Sequence, residues 1–236
     1  MSGKELGAPD LRPPLHGWEL SASEARQLQG RLAERICLTP LQGQPETVAG
    51  IDCGIEANGH LRAVVSLFDY PAMNHVQTVI HRQPCVFPYV PGLLSFREMP
   101  AVLGAMEQLA QKPDLLLCDG QGIAHPRRLG IASHLGLWLN RPAIGVGKSR
   151  LVGCHEDPGQ DKGCHTPLMD RGERIGTVLR TRTGVRPVYV SPGHLVDHAD
   201  SMDWVLGTLS RYRLPEPIRA ADRASRGPIP IRPALR

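Results

Sequence analysis

The sequence contains no apolar run of about 18 residues or more, so it offers no candidate for a membrane-spanning helix. Its first residues also lack the basic-then-apolar order of a secretory signal. A soluble cytoplasmic protein with no membrane partner is therefore expected. No two of the six cysteines (37, 53, 85, 118, 154 and 164) stand in Cys-x2-Cys spacing. The adjacent pairs Cys154-His155 and Cys164-His165 thus make a poor zinc motif. Four of the cysteines fall in or beside apolar runs, where a free thiol behaves as a small hydrophobe, and all six are read as reduced. Lysine is scarce, 4 against 23 arginines, a usage that suits a GC-rich, bacterial genome. Repeats of domain size are absent. Of the three tryptophans, Trp138 and Trp204 lie in helical stretches, and all three, with Trp18, are expected to pack.

The chain does have enough apolar residues for a core: 41% of 236, which fits one domain with short extensions. Residues 1–20 are rich in Gly and Pro without periodicity and read as a flexible leader. Residues 21–226 read as a single domain and 227–236 as a basic tail. The formal net charge of +4 is unevenly spread: beyond residue 210, seven arginines face Glu216 and Asp222. A basic segment on a near-neutral body suits a polyanionic partner such as nucleic acid.

Ser21 and Glu24 form a capping box before Ala25, Leu28, Leu32 and Ile36 at helical spacing, so 21–37 is predicted helical. The runs 47–55, 60–70 and 75–85 read as three strands of a meander, with "PAMN" as a turn. A helix over 99–111, a buried strand at 114–120, a helix over 129–140 and a buried strand at 143–148 follow. A strand pair at 174–181 and 187–191 and a helix over 198–212 complete the chain. Residues 153–172 have loop composition. A meander followed by strand–helix crossovers implies an α/β fold with a mixed sheet flanked by helices.

Asp52 lies inside an apolar strand and Asp119 ends another. A charge there is costly unless it is paired or binds a metal. Carboxylate oxygens at adjacent strand ends suit Mg2+ or Mn2+ rather than zinc. Ser95 and Glu98 match a capping box, but Pro100 prefers the first helical position, which would leave Glu98 just outside the helix. Asp222 in "PEPIRAADRASR" reads, alone, as a helix partner for a nearby arginine. In "PYVPGLLSFRE" (88–98) the prolines hold Tyr89 on a stiff, extended arm. The same prolines would also suit a ligand for an aromatic groove. His125, Arg127 and Arg128 open the next helix, where cations oppose the helix dipole unless a phosphate joins them. His194 in "SPGH" could shape a site or serve as a hydrogen-bonded structural histidine.

The stretches "GIDCG", "PYVPGLLSFRE", "PDLLLCDGQGIAHPRRLGIASHLG", "IGVGKS", "SPGH" and "RLPEPIRAADR" occur in this order between about residues 48 and 226. Together they make the chain resemble the endonuclease V family, nucleases that recognise inosine, the deaminated form of adenosine. The resemblance implies a ribonuclease H-like core, a mixed five-stranded sheet whose first three strands are antiparallel. It implies that Asp52, Glu98 and Asp119 surround Mg2+ (Mn2+ substituting), that Asp222 is a fourth ligand, and that Lys148 lies beside the scissile phosphate. One ion would orient the attacking water, and the same ion or a second about 4 Å away would stabilise the leaving oxygen. The implied reaction is hydrolysis of the second phosphodiester 3′ to inosine, leaving a 3′-hydroxyl and a 5′-phosphate, in DNA repair.

Pro88, Tyr89 and Pro91 would form a wedge that enters the stack as the lesion base leaves it. Such stacking is worth ~1–3 kcal/mol. Gly92, Leu94 and Gly120 would line the base pocket, with backbone groups reaching the hypoxanthine edge. His125, Arg127, Lys148 and Ser149 would meet the nucleic acid, and a monomer acting on inosine-containing DNA is expected. Two alternatives stand beside this: an inosine-specific ribonuclease, and a generic ribonuclease H-like, structure-specific nuclease. A binding protein that does not cut would require a broken acid set, and all four acids are present.

Overall fold

Residues 14–226 are described in this computed structural model; the tail, with Arg232 and Arg236, and the first thirteen residues of the leader lie outside them. The rest of the leader is packed. His16 and Trp18 sit in a ring cluster with Phe96, His134 and Trp138; the Trp18 and Trp138 rings stack at 4.8 Å. Helix α1 (Ala22–Ala33) begins with the expected capping box, Glu24 N–H on the Ser21 hydroxyl and Ser21 N–H on the Glu24 carboxylate.

The meander forms as read: β1 (Thr47–Ile55), β2 (His60–Asp69) and β3 (His75–Pro84) pair antiparallel. Helix α2 (Leu94–Met106) starts five residues earlier than the prolines suggested, so Pro100 and Glu98 both lie inside it. The buried Ser95, Phe96 and Met99 explain this: Phe96 packs with Phe87 and Leu93, and the Ser95 hydroxyl bonds the ring of His134. These contacts outweigh the backbone hydrogen bond that an interior proline removes. Then come β4 (Leu115–Cys118), α3 (Ile131–Leu139), β5 (Ala143–Gly147), β6 (His165–Asp170), β7 (Glu173–Leu179), β8 (Val188–His194), α4 (His198–Gly207) and α5 (Glu216–Ser225). Strand β6 falls in the segment read as loop, and α5 in a segment given no helix bounds, where only Asp222 was read as a helix partner. Helix α4 ends at Gly207 rather than 212.

One eight-stranded sheet runs β3-β2-β1-β4-β5-β8-β7-β6. Its first five strands are the mixed five-stranded core, with β1, β4 and β5 parallel. The last three extend it antiparallel. Side chains alternate between the faces. Ala49, Ile51, Leu116, Cys118 and Ala143 pack under α2 and α3. Val48, Leu115, Leu117, Ile144 and Val146 pack under α4 and α5. By the same alternation Asp52, Asp119 and Lys148, one step beyond these rows, fall on the α5 face.

Candidate active site

Helix α5 reaches that face through a glycine. A Cβ on Gly50 would lie 2.0 Å from the carbonyl of Pro217, so only glycine permits this approach. Two residues along β1, on the same face, stands Asp52. Strands β1 and β4 pair with Ile51 opposite Cys118, and Asp119 N–H bonds the Ile51 carbonyl at 2.9 Å. The next residue of each strand is therefore an acid. From above, α5 contributes Asp222 and, one turn on, Ser225, whose hydroxyl donates to Asp52 Oδ2 at 2.5 Å. One carboxylate oxygen from each of Asp52, Asp119 and Asp222 lies within 4.8 Å of the other two. This is the one group of three or more Asp, Glu, His or Cys side chains among the described residues that could share a metal ion.

Lys148, just past β5, lays its ammonium 2.5 Å from Asp119 Oδ2 and 2.6 Å from Asp222 Oδ1. Arg226 pairs with Asp222 at 2.8 Å. Burial pushes Asp119 up to about 6, although the Lys148 hydrogen bond opposes the shift. Burial would also raise Asp222, but bonds from Lys148 and Arg226 hold it below the usual range. Glu98 stands outside the tight group, approaching from α2 on the other face. Burial, then the Asp52 charge, push its carboxyl up to about 8. A knot of three carboxylates, one of them raised by burial, with an ammonium against two of them, is a place built for positive charge. Its donors are the hard oxygens that Mg2+ or Mn2+ prefers, so the residues fit such an ion.

The loop between β3 and α2 carries Tyr89 outward. Phe87 and Leu93 are buried in a small core with Ala25 and Phe96, while Tyr89 between them is 68% exposed. The Arg97 guanidinium lies 5.8 Å from the Tyr89 ring centre. Pro88, Pro91 and Leu94 are exposed beside it. The Gly92 carbonyl points inward, where it accepts from His125 Nε2 and Arg127.

Other sequence expectations change. Helix α3 begins at Ile131, after the cations rather than with them. Arg128 pairs with Asp170 and Glu173 of the β6–β7 hairpin, both at 2.8 Å. His194 accepts from Cys37 N–H, away from the acids. His155 packs its ring on Tyr189, and the two Cys-His pairs form no metal group. Three of the five described arginines of the basic C-terminal segment are spent internally: Arg213 bonds the carbonyls of Lys148 and Pro187, Arg219 pairs with Glu216, and Arg226 with Asp222. Ser149 is exposed at the site's rim, its carbonyl held by Gln121. Arg226 is the arginine partner of Asp222 that the helix reading called for, while sequence reasoning missed Ser225, Gln121 and Arg213. Only Ser225, one helical turn from Asp222, left a signal in its spacing.

The family model described as Endonuclease V matches residues 30–223. The chain is 57% identical to an Endonuclease V of Alkalilimnicola ehrlichii, covering 89% of this chain and 93% of the relative. It is 52% identical to that of Trichormus variabilis over 88% and 95%. Among solved structures, the Endonuclease V of Streptomyces avermitilis superposes with a TM-score of 0.85 at 39% identity, over 89% and 93% of the two chains. Endonuclease V of Ciona intestinalis, solved with a DNA 24-mer containing an inosine followed by a ribo-adenosine, superposes at 0.76 with 26% identity, over 86% and 95%. The shared architecture is the ribonuclease H-like fold.

Proposed function

The chain belongs to the endonuclease V family and is a nuclease that hydrolyses phosphodiesters; on that premise we propose that it cuts strands containing inosine, at the second phosphodiester on the 3′ side, leaving a 3′-hydroxyl and a 5′-phosphate. The observation that carries this reading is the convergence of Asp52, Asp119 and Asp222 beside Lys148, on the same sheet that holds Tyr89 exposed on an anchored loop. Asp52, Asp119 and Asp222 would hold Mg2+, with Mn2+ able to substitute, and Glu98 would complete the set from α2. A bound Mg2+ supplies Lewis acidity and lowers the pKa of a water. Ser225 keeps the Asp52 carboxylate turned into the group. Lys148 offsets negative charge on the phosphoryl oxygens as bonding to phosphorus changes. Tyr89 takes the place of the extruded base in the stack, and Gly92, Leu94 and Gly120 border the pocket that receives it.

Every residue of the group comes from one chain, which supports action as a monomer. The six free cysteines fit a reducing, cytoplasmic setting, and among the described residues no helix is long and apolar enough to cross a membrane. Deaminated DNA is the proposed substrate, in repair. The test is a 5′-labelled strand with one inosine, made as DNA and as RNA, incubated with Mg2+ or with EDTA. A single Mg2+-dependent cut one nucleotide beyond the inosine, faster in DNA, is expected. A faster RNA cut would instead make this an inosine-specific ribonuclease. Scattered cuts on inosine-free strands as well would replace the reading with a generic nuclease.

A further inference from the structure

The walls proposed for the base pocket come from two separate loops. One is the turn around Gly92, between β3 and α2; the other runs from Asp119 to α3. No strand pairing fixes the distance between them, so side chains must. Gln29, in the third turn of α1, is fully buried, at 0% exposure. Its Nε2 donates to the Gly92 carbonyl at 3.0 Å and to the Leu129 carbonyl at 2.8 Å, one from each loop. Its Oε1 accepts from Arg127 Nε, which fixes which end of the amide is oxygen. Both N–H groups and the oxygen are therefore committed. The Gly92 oxygen receives two more donors, Arg127 at 2.8 Å and His125 Nε2 at 3.1 Å. Three donors on one carbonyl make that oxygen the most heavily held atom of the loop. Gly92 itself has φ +78°, and a Cβ there would meet the Arg127 guanidinium at 2.7 Å. The carbonyl can be gripped this closely only because the residue is glycine.

We propose that Gln29 is a positioning residue for lesion recognition: its amide ties the Gly92 turn to the Leu129 carbonyl and so sets the spacing of the Tyr89 wedge from the Asp119 loop. The inference rests on the reading of Tyr89 as a wedge. The Gln29 amide itself is out of reach of water, and removing it leaves the buried Leu129 oxygen and Arg127 Nε without this partner. The Gly92 turn then keeps only its tethers to the Asp119 loop and loses its tie to α1. Asp52, Asp119 and Asp222 are held by β1, the end of β4 and α5 rather than by Gln29, and keep their geometry.

The test compares Gln29→Met, which fills the space without donors, with Gln29→Glu, which still accepts from Arg127 but as a carboxylate offers no N–H. Val205→Ala, on the opposite face of the sheet, serves as the control for simple loss of stability. Both Gln29 variants should raise KM for the inosine strand about tenfold with kcat within twofold, and should speed amide hydrogen exchange in residues 86–93 by at least tenfold. Val205→Ala should do neither. Unchanged exchange in 86–93, an unchanged KM beside a lowered Tm, or a kcat-only loss would each overturn the proposal. Tyr89→Ala separates it from its premise. If Tyr89→Ala keeps its inosine preference, the wedge reading fails and the proposal with it. If Tyr89→Ala loses the preference and Gln29→Met keeps it, the Gln29 assignment alone is overturned.

Discussion

The Ser225 hydroxyl donates to Asp52 Oδ2 at 2.5 Å, joining two residues 173 positions apart in the chain. It orients a carboxylate that would otherwise be free to rotate about χ2 in the middle of the acid group. Residues that orient ligands are worth about 10–100-fold in metal affinity or activity. Ser225→Ala should therefore weaken Mg2+ activation about tenfold while leaving the fold intact. A Mg2+ titration of cleavage, with circular dichroism as a control, checks it; an unchanged midpoint would remove Ser225 from this role.

Gly50→Ala should be far more damaging than its size suggests. The new methyl would lie 2.0 Å from the Pro217 backbone, which is part of a helix and cannot step aside alone. Overpacking of this kind costs about 1–3 kcal/mol, with α5 displaced from the sheet. Both Tm and Mg2+-dependent cleavage should fall, whereas Gly59→Ala, with open space around it but φ +81°, should lower Tm alone.

Removing the ammonium in Lys148→Met should reduce kcat about 100-fold with KM little changed, a typical loss for one transition-state charge contact. The same change leaves Asp119 without its cation. Burial already holds Asp119 up to about 6, and Lys148 is what opposes that rise. Without divalent ions the variant should be less stable than the parent above pH 6. Mg2+ at about 100 times its Kd should restore about 2.7 kcal/mol in either protein, readable as a Tm shift reversed by EDTA.

Acid should unfold the protein partly through its buried histidines. Burial pushes His134 down to about 3 and His125 down to about 4, from an ordinary 6.5. A lowered pKa means the folded state prefers the neutral ring. The associated stability is full above pH 6.5 and is lost as pH falls toward 4 and 3. Each pH unit in that window removes up to about 1.4 kcal/mol per histidine. Tm measured from pH 7 to 4 should drop steeply, and His134→Gln should flatten the curve at the expense of its contacts with His16 and Ser95.

Much of this was legible in the residues, and the rest was hidden for identifiable reasons. The meander showed because its strands alternate or run apolar. Asp52 and Asp119 showed because a charge in such a strand is anomalous. Asp222 did not stand out by itself: the buried stripe of α5, Ile218, Ala221 and Ser225, is mostly of small residues, and the helix sits close to β1 because Gly50 lets it. The start of α2 was misplaced because Pro100 is a strong local signal, and only the packing of Phe96 and Ser95 overrides it. Strand β6 has loop-like composition and one fully buried side chain, Leu168, so it forms because β7 offers an edge. Arg128 looked like a phosphate ligand because its partners Asp170 and Glu173 lie more than forty residues away and cannot be read from its neighbours.

The docking of α5 on β1 also dictates when the chain becomes a nuclease. On the ribosome, Asp52, Asp119 and Lys148, carried by β1 and by the ends of β4 and β5, and Glu98 on α2 emerge before Asp222 and Ser225 are synthesised. Until those two arrive the carboxylate group is one member short, and Asp52 has no hydroxyl to hold it. A nascent or truncated chain ending before Glu216 thus carries all eight strands but not the complete acid group.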